Sequence, residues 1–350
     1  MKKKVLILFG GPSMEYYAAC KAYAGFIDYV DRDLFDVVQI GITPEGEWLL
    51  TDATSEDIFD GEAWMKKEGN KKAIITPIKD EHCIYVFDGD KYYTEHVDVA
   101  FPYVVGYGGE DGRIPGLLDL ANIPYVGSGV AASACSIDKE LTRLFADACN
   151  LKQPECSIIS KDEYYNGEFD KEALLSFGYP VFVKPANGGT SVGVSRATND
   201  EEFKAAMDES FKWDDKTLIE QEIKGSEIKV AVLGNENVEI GALCEITTPE
   251  GMINDYETKQ TKSSKKDIPA NLPKEVEEEI KRQAVEVYKK LNCRSFARVD
   301  FFLNDKKEIF FNEINTIPGL GKSSIYSQMF EAAGVEFKEL LTKLILTADN

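Results

Sequence analysis

Histidine is almost missing from this 350-residue chain: His82 and His96 are the only two, and both lie in a polar segment. That leaves little room for a histidine general base or a histidine-rich metal centre. Cysteine offers no better centre. The seven cysteines are an odd number, never form C-x-x-C, and mostly sit among apolar neighbours, as Cys135 does in VAASACSI. They read as reduced core thiols of a cytosolic protein rather than disulfides or a zinc site. Basic residues are also in deficit, 40 Lys and Arg against 61 Asp and Glu, a net charge of −21. Nucleic acid and anionic membrane surfaces are excluded as general partners, since both need clustered positive charge. A small anion is not excluded, because a few local cations decide that contest. No apolar run is long enough to span a bilayer. The run Val5–Phe9 in MKKKVLILFGG is short and lacks a small-residue cleavage site, so it reads as a buried strand rather than a leader.

What is present is a two- or three-domain length and alternating structure signals. Val5–Phe9 is a strand, Gly10-Gly11 a turn, and Ser13 a candidate N-cap for a helix running to about Val30. Phe35–Ile42 and 97–105 read as further strands, with Ile114–Ala121 helical, the grammar of an open α/β sheet. Residues 51–98 are polar and poorly patterned. A helix over 138–149 precedes a βαβ-like passage ending at Lys184, then a glycine-rich turn. Strands are expected at 217–223 and 227–233, and a helix from Lys274 to Leu291 with apolar positions at helical spacing. Residues 251–272 are polar and turn-prone and read as a mobile loop.

The strongest local feature is the pair FARVDFF and NEINTIPGL. Period-two patterning makes 296–302 and 308–315 a hairpin across the turn at Asn304-Asp305-Lys306-Lys307. Glu313 and Asn315 then share a face, which Asp300 meets from the neighbouring strand. Two carboxylates and a carboxamide are hard oxygen donors, suited to Mg²⁺ carrying nucleotide phosphates. Arg298 shares the face of Asp300 and can reach an anion held there. Upstream, Lys184 precedes the small-residue loop PANGGTSVG, which joins two strands and lets backbone N–H groups approach an anion. It is not a P-loop, because the lysine precedes the glycines and no GKS/T closes it. Asp138-Lys139 offers a second cation at a helix start. Glu220-Gln221-Glu222-Ile223 reads as a strand edge able to hydrogen-bond an adenine, with Glu227 placed for ribose hydroxyls.

In this order, these residues resemble the ATP-grasp ligases over nearly the full chain, and within them the D-alanine–D-alanine ligase family, including relatives that make altered termini in vancomycin resistance. The strings that carry the resemblance are FGGPSME, GEDGRIPGLLDLANIPYVGSG, SIDK, VKPANGGTSVGVS, DYETK, and ARVDFF with NEINTIPG. It implies a Rossmann-like α/β pre-ATP-grasp domain over 1–129, a central ATP-grasp subdomain over 130–223, and a C-terminal one over 224–350 with the mobile loop as a lid. It implies ATP and two Mg²⁺ (or Mn²⁺) as cofactors, amino-acid substrates with D-alanine first among them, and a homodimer. Lys139 and Lys184 would hold ATP phosphates beneath the loop that carries Gly189 and Ser191. Glu220 and the backbone of Gln221 and Ile223 would read adenine, and Glu227 the ribose. Asp300, Glu313 and Asn315 would bind the metals. Glu15, helped by Thr190, would hold the first substrate's ammonium. The Gly319 N–H and Arg298 would stabilise the oxyanion, while Ser324 and Lys259 would serve the second substrate.

The expected reaction is activation of one amino acid's carboxylate by the γ-phosphoryl group, then attack by the second amino acid's amine, for peptidoglycan precursors. It needs no protein nucleophile, which accords with the missing histidines. Departures from the family pattern cluster on the amino-acid side: Tyr16, Tyr17, Ala18 and Ala19 after Glu15, Val105 before Gly106, and Gln260 after Lys259. Two readings stay open. Tyr16, Tyr17 and Tyr107 line a reshaped pocket with altered specificity, or Tyr16 packs in the core of an ordinary ligase. Beyond these stand another ATP-grasp carboxylate–amine ligase and a degenerate ATP-binding homologue.

Overall fold

Residues 2–189, 191–248 and 264–349 are described by the structure, a computed structural model. Three sheets organise it. The first runs β6-β5-β4-β3-β2-β1-β7. Its strands are β1 (Lys3–Gly10), β2 (Phe35–Ile42), β3 (Trp48–Thr51), β4 (Lys71–Ile75), β5 (Cys83–Asp88), β6 (Lys91–His96) and β7 (Val99–Tyr103). β1 pairs in parallel with β2 and with β7. The poorly patterned stretch 51–98 adds the antiparallel part of this sheet, from the end of β3 to β6. Its strands hid because solvent reaches one face of β4 and both faces of β6: Ile74, Tyr92 and Tyr93 are exposed.

The second sheet, β10-β9-β11-β8, is small and antiparallel: β8 (Cys156–Ser160), β9 (Val181–Pro185), β10 (Ser195–Ala197) and β11 (Lys216–Gln221). The third holds β12 (Gly225–Leu233), β13 (Glu239–Ile240), β14 (Cys244–Thr247), β15 (Lys265–Asp267), β16 (Phe296–Asn304) and β17 (Ile309–Asn315). The predicted hairpin is β16–β17, with Asp300 opposite Glu313 and Arg298 opposite Asn315. A register shift follows at Asp300/Phe301, so that Phe301 faces Phe311. Such a bulge bends the strand and can re-aim its side chains.

The first helix covers Tyr16–Ile27, with Glu15 rather than Ser13 at the N-cap position. Ser13 Oγ instead accepts the Glu15 N–H at 3.1 Å, tying the turn ahead of the helix. The predicted helix over 138–149 is Lys139–Ala148, capped by Asp138, whose carboxylate accepts from the Glu140 and Leu141 N–H groups. It packs on the third sheet rather than the second: Ala146, Cys149 and Leu151 join the core of Ile228, Val230, Val299 and the helix Lys274–Lys290. Another core crosses from the first sheet to the third, joining Phe9, Tyr23 and Phe101 to Phe296, Leu320 and Tyr326. The second sheet closes its own small core around Ile159, Val183, Met207 and Ile219.

Of the expected lid over 251–272, the residues up to 263 lie outside those described. Its later part forms β15 on the edge beside β14. All seven cysteines are unbridged thiols. Among the described residues no helix is long and apolar enough to cross a membrane.

Candidate active site

The site lies where the C-terminal ends of the parallel strands β1 and β7 meet the third sheet, the usual position for ligands in open α/β sheets. The chain leaves β1 through Gly10, whose φ of +84° and close approach to the Ile42 carbonyl admit only glycine. That turn delivers Glu15. After β7, Gly106 brings its backbone against the same side chain. A methyl group on Gly106 would stand 3.0 Å from Glu15 Oε2, and one on Gly189 2.6 Å from it. The Glu15 carboxylate is thus held between two glycine backbones, one from the first sheet and one from the glycine-rich loop.

Glu15, Gly106, Glu110, Lys139, Gly189, Glu313 and Asn315 line one cleft together with Ser136, Ile137 and Thr316. Residues assigned from sequence to the ammonium, the phosphates and the metal therefore converge from three separate sheets. Lys139 is fixed at a helix start, its N–H donating to the Ala186 carbonyl at 2.9 Å and its Nζ to the Gly188 carbonyl at 2.7 Å. Burial and the neighbouring Lys184 pull its pKa below the ordinary lysine range, although Glu313 and Glu220 oppose this. Ser191 takes a left-handed φ of 62° in the same loop.

Lys184 lies on β9 and pairs with Glu220 of β11 at 2.6 Å. Arg143 approaches the other Glu220 oxygen at 3.2 Å. The carboxylate expected to read adenine is therefore engaged by two cations. The Gln221 N–H likewise donates to the Glu155 carbonyl at 2.9 Å, which leaves its carbonyl and the backbone of Ile223 for a base edge. On the hairpin, Arg298 grips Asp300 through two contacts, Nε to Oδ1 at 2.7 Å and a terminal nitrogen to Oδ2 at 2.8 Å. Burial would raise the Asp300 pKa, but Arg298 and Lys229 win and hold it at about 2. Glu313 is held below its ordinary range by Lys139, Arg298 and Lys184, against burial and Asp300. Asp300, Glu313 and Asn315 supply only oxygen donors, which fits a hard divalent cation. Among the described residues no group of three His, Cys, Asp or Glu side chains is placed to hold a metal ion, so the hairpin set depends on the Asn315 carboxamide.

Gly319 and Ser324 stand together, 3.4 Å separating Ser324 Oγ from a methyl group placed on Gly319. Ser324 caps the helix Ile325–Ala332 by position. Thr190 and Lys259 lie outside the described residues.

Two residues escaped the sequence reading. Glu110 lies inside GEDG, and its carboxylate accepts N–H bonds from Gly106 at 2.8 Å and Ile317 at 3.0 Å, joining the loop after β7 to the segment after β17. Lys229 on β12 pairs with both Asp300 and Glu227. Its position between Ile228 and Val230 was the available signal, since a strand lysine flanked by buried residues points to the face opposite theirs. Tyr16 does not line the cleft. It is 3 % exposed, donates its hydroxyl to the Gly61 carbonyl at 2.7 Å and accepts from Trp64 Nε1 at 3.0 Å. Tyr17 and Tyr107 point to solvent, and Tyr107 lies against the Arg113 guanidinium. The core reading of Tyr16 thus replaces the aromatic-pocket reading, because a hydroxyl with two buried partners is satisfied where it stands.

Comparison with known proteins identifies the family. The profile described as D-ala D-ala ligase N-terminus matches residues 4–128, and that described as D-ala D-ala ligase C-terminus matches 145–346. The D-alanine–D-alanine ligase of Caldicellulosiruptor bescii is 40% identical over 99% of this chain and 95% of its own length. D-alanine–D-alanine ligase A of Escherichia coli is 37% identical over 98% and 95%. Among solved structures, the VanG D-Ala:D-Ser ligase of Enterococcus faecalis superimposes with a TM-score of 0.88 at 30% identity, covering 99% of this chain and 100% of that one. Both profiles and the full-length relatives place this chain in the D-alanine–D-alanine ligase family.

Proposed function

We propose that the protein is an ATP-dependent, ADP-forming ligase that joins two D-alanine molecules into the dipeptide used for peptidoglycan precursors, acting in the cytoplasm as a homodimer. The observation that carries this reading is the convergence of Glu15, Lys139, Gly189, Glu313 and Asn315 on one cleft. An ammonium-binding carboxylate, a phosphate-binding lysine and metal-binding oxygens are the groups that carboxylate activation requires.

In this reading Glu15 holds the ammonium of the first D-alanine, with its carboxylate turned toward the phosphates. Lys139 and Lys184 offset the charge of the transferring phosphoryl group. Gly189 and Ser191 lend backbone N–H groups from the loop above, and Glu227 takes the ribose. Glu220, the Gln221 carbonyl and Ile223 face the adenine. Glu313 and Asn315, on the hairpin that also carries Asp300, would hold Mg²⁺ or Mn²⁺, which when bound supplies Lewis-acid neutralisation at the phosphates. The first D-alanine's carboxylate takes the γ-phosphoryl group and ADP is released. The free amine of the second D-alanine, steered by Ser324 and Lys259, then attacks the acyl carbon, and phosphate leaves as the amine gives up its proton. Arg298 and the Gly319 N–H receive the oxyanion that forms. Arg298 is well suited, because its two bonds to Asp300 fix the guanidinium plane.

An ADP-release assay over single and paired D- and L-amino acids, with mass spectrometry of the product, tests this. D-alanine alone should drive turnover and give the homodipeptide. Release that needs a second, different amino acid would move the assignment to a mixed ligase. ADP release indifferent to every amino acid would leave a degenerate ATP-binding homologue.

A further inference from the structure

Lys229 sits directly opposite Asp300 in the β12–β16 register, so both side chains leave the sheet on one face. It is 6 % exposed, and Asp300 1 %. The ammonium donates to Asp300 Oδ2 at 2.8 Å and to Glu227 Oε2 at 3.0 Å. Glu227 is two positions away on the same strand and shares that face. Lys229 therefore bridges the acid assigned to the ribose and the acid assigned to the metal.

Asp300 has little left to offer. A carboxylate presents about four acceptor sites. Arg298 occupies one on each oxygen, and Lys229 takes a further one on Oδ2. Charged donors thus hold three sites, and Oδ2 is filled. Glu313 and Asn315 differ. They line the cleft, as Asp300 does not, and they meet each other only through a long contact, Nδ2 to Oε1 at 3.3 Å. A divalent ion placed on Asp300 would have to expel the ammonium or lie beside it, where burial leaves like-charge repulsion poorly screened.

We propose that Lys229 is a built-in cation of the nucleotide site: it stands at Asp300 in place of one of two divalent ions, so the chain loads nucleotide with a single divalent ion held by Glu313 and Asn315. This rests on the reading of the cleft as a metal-nucleotide site. The fixed ammonium supplies charge at Asp300 without drawing on free metal. It also ties the ribose acid to the hairpin, so the two ends of the nucleotide site move as one piece.

The test is the ratio of Mn²⁺ to nucleotide bound by the full chain, measured by equilibrium dialysis with the non-hydrolysable β,γ-imido analogue of ATP, with electron paramagnetic resonance counting free Mn²⁺. The wild-type chain should bind Mn²⁺ and nucleotide 1:1, and Lys229→Met should raise the ratio to 2:1. Lys229→Gln, which keeps a donor for Asp300 without the charge, serves if the methionine variant fails to fold, and it too should reach 2:1. A 2:1 ratio in the wild-type chain overturns the proposal whatever the variants do. So does a folded variant that stays at 1:1. Nucleotide bound without Mn²⁺ also overturns it, while no nucleotide bound at all overturns the underlying reading of the cleft.

Discussion

Glu110 joins two parts of the chain through two backbone N–H groups, and burial together with the nearby Glu15 pushes its carboxyl up to about 7. In the unfolded chain the same group ionises near 4.5. Between those values the native state holds a proton that the unfolded state has lost, so stability falls as pH rises from about 4.5 to about 7. The swing is at most about 3 kcal/mol. Glu110→Gln should flatten that slope in urea titrations run across this range. The slope is the readout, because the amide also gives up one N–H bond and lowers stability at every pH. An unchanged slope would place the titration on another group. Tyr16 makes the opposite kind of statement. Tyr16→Phe leaves the Gly61 carbonyl and the Trp64 indole N–H unpaired in the core, costing roughly 1–3 kcal/mol in chemical denaturation. The KM for D-alanine should stay within about two-fold, since the hydroxyl faces away from the cleft. A large KM change at unaltered stability would restore the aromatic-pocket reading.

Among the elements, the glycine-rich loop between β9 and β10 has the sharpest test. A methyl group on Gly189 meets Glu15 Oε2 at 2.6 Å, while at Gly188 nothing lies within 4 Å. Gly189→Ala should fold, because a carboxylate end can swing aside, but the displaced Glu15 loses its grip on the ammonium. A charge-assisted bond of roughly 1.5–3 kcal/mol corresponds to about a 10- to 100-fold rise in the D-alanine KM. Gly188→Ala, measured alongside, should stay near wild type. Equal effects from both would mean that loop stiffness, not the Glu15 contact, governs binding. The hairpin that made this chain legible was readable because its alternation is strict and its donors lie on it: Arg298, Asp300, Glu313 and Asn315. The register shift after Asp300 was not, since a bulge leaves no mark in a run of Phe301, Phe302, Phe310 and Phe311 that packs either way. Strands β4 to β6 escaped because lysines, tyrosines and a threonine on an open sheet face carry no clean period. Glu110 escaped because its partners are backbone N–H groups that only folding brings near.

At the scale of the whole molecule, cores and polar bridges divide the labour unequally. The first and third sheets share one apolar core, from Phe9 and Phe101 through Phe296 to Leu341. The second sheet keeps its own, and polar contacts join it to the rest. Lys139 N–H meets the Ala186 carbonyl, Lys216 pairs with Asp138 and Glu140, and Arg143 pairs with Glu220. Apolar burial scales with area, whereas largely buried ion pairs such as Arg143–Glu220 return little beyond the cost of desolvating their charges. Residues 156–221 should therefore open as a unit at a lower free energy than the remainder. Native-state hydrogen exchange in rising urea checks this. Amides of β8, β9 and β11 should merge into one isotherm below the global one, while β1, β7, β12 and β16 exchange only with global unfolding. On the proposed roles of Lys139, Lys184 and Glu227, a saturating ATP analogue binds only the closed native state, so it should raise both isotherms by about 3 kcal/mol at a hundred-fold excess over Kd and leave the gap between them unchanged. A single isotherm without ligand would mean that the polar bridges couple the small sheet as firmly as a shared core does.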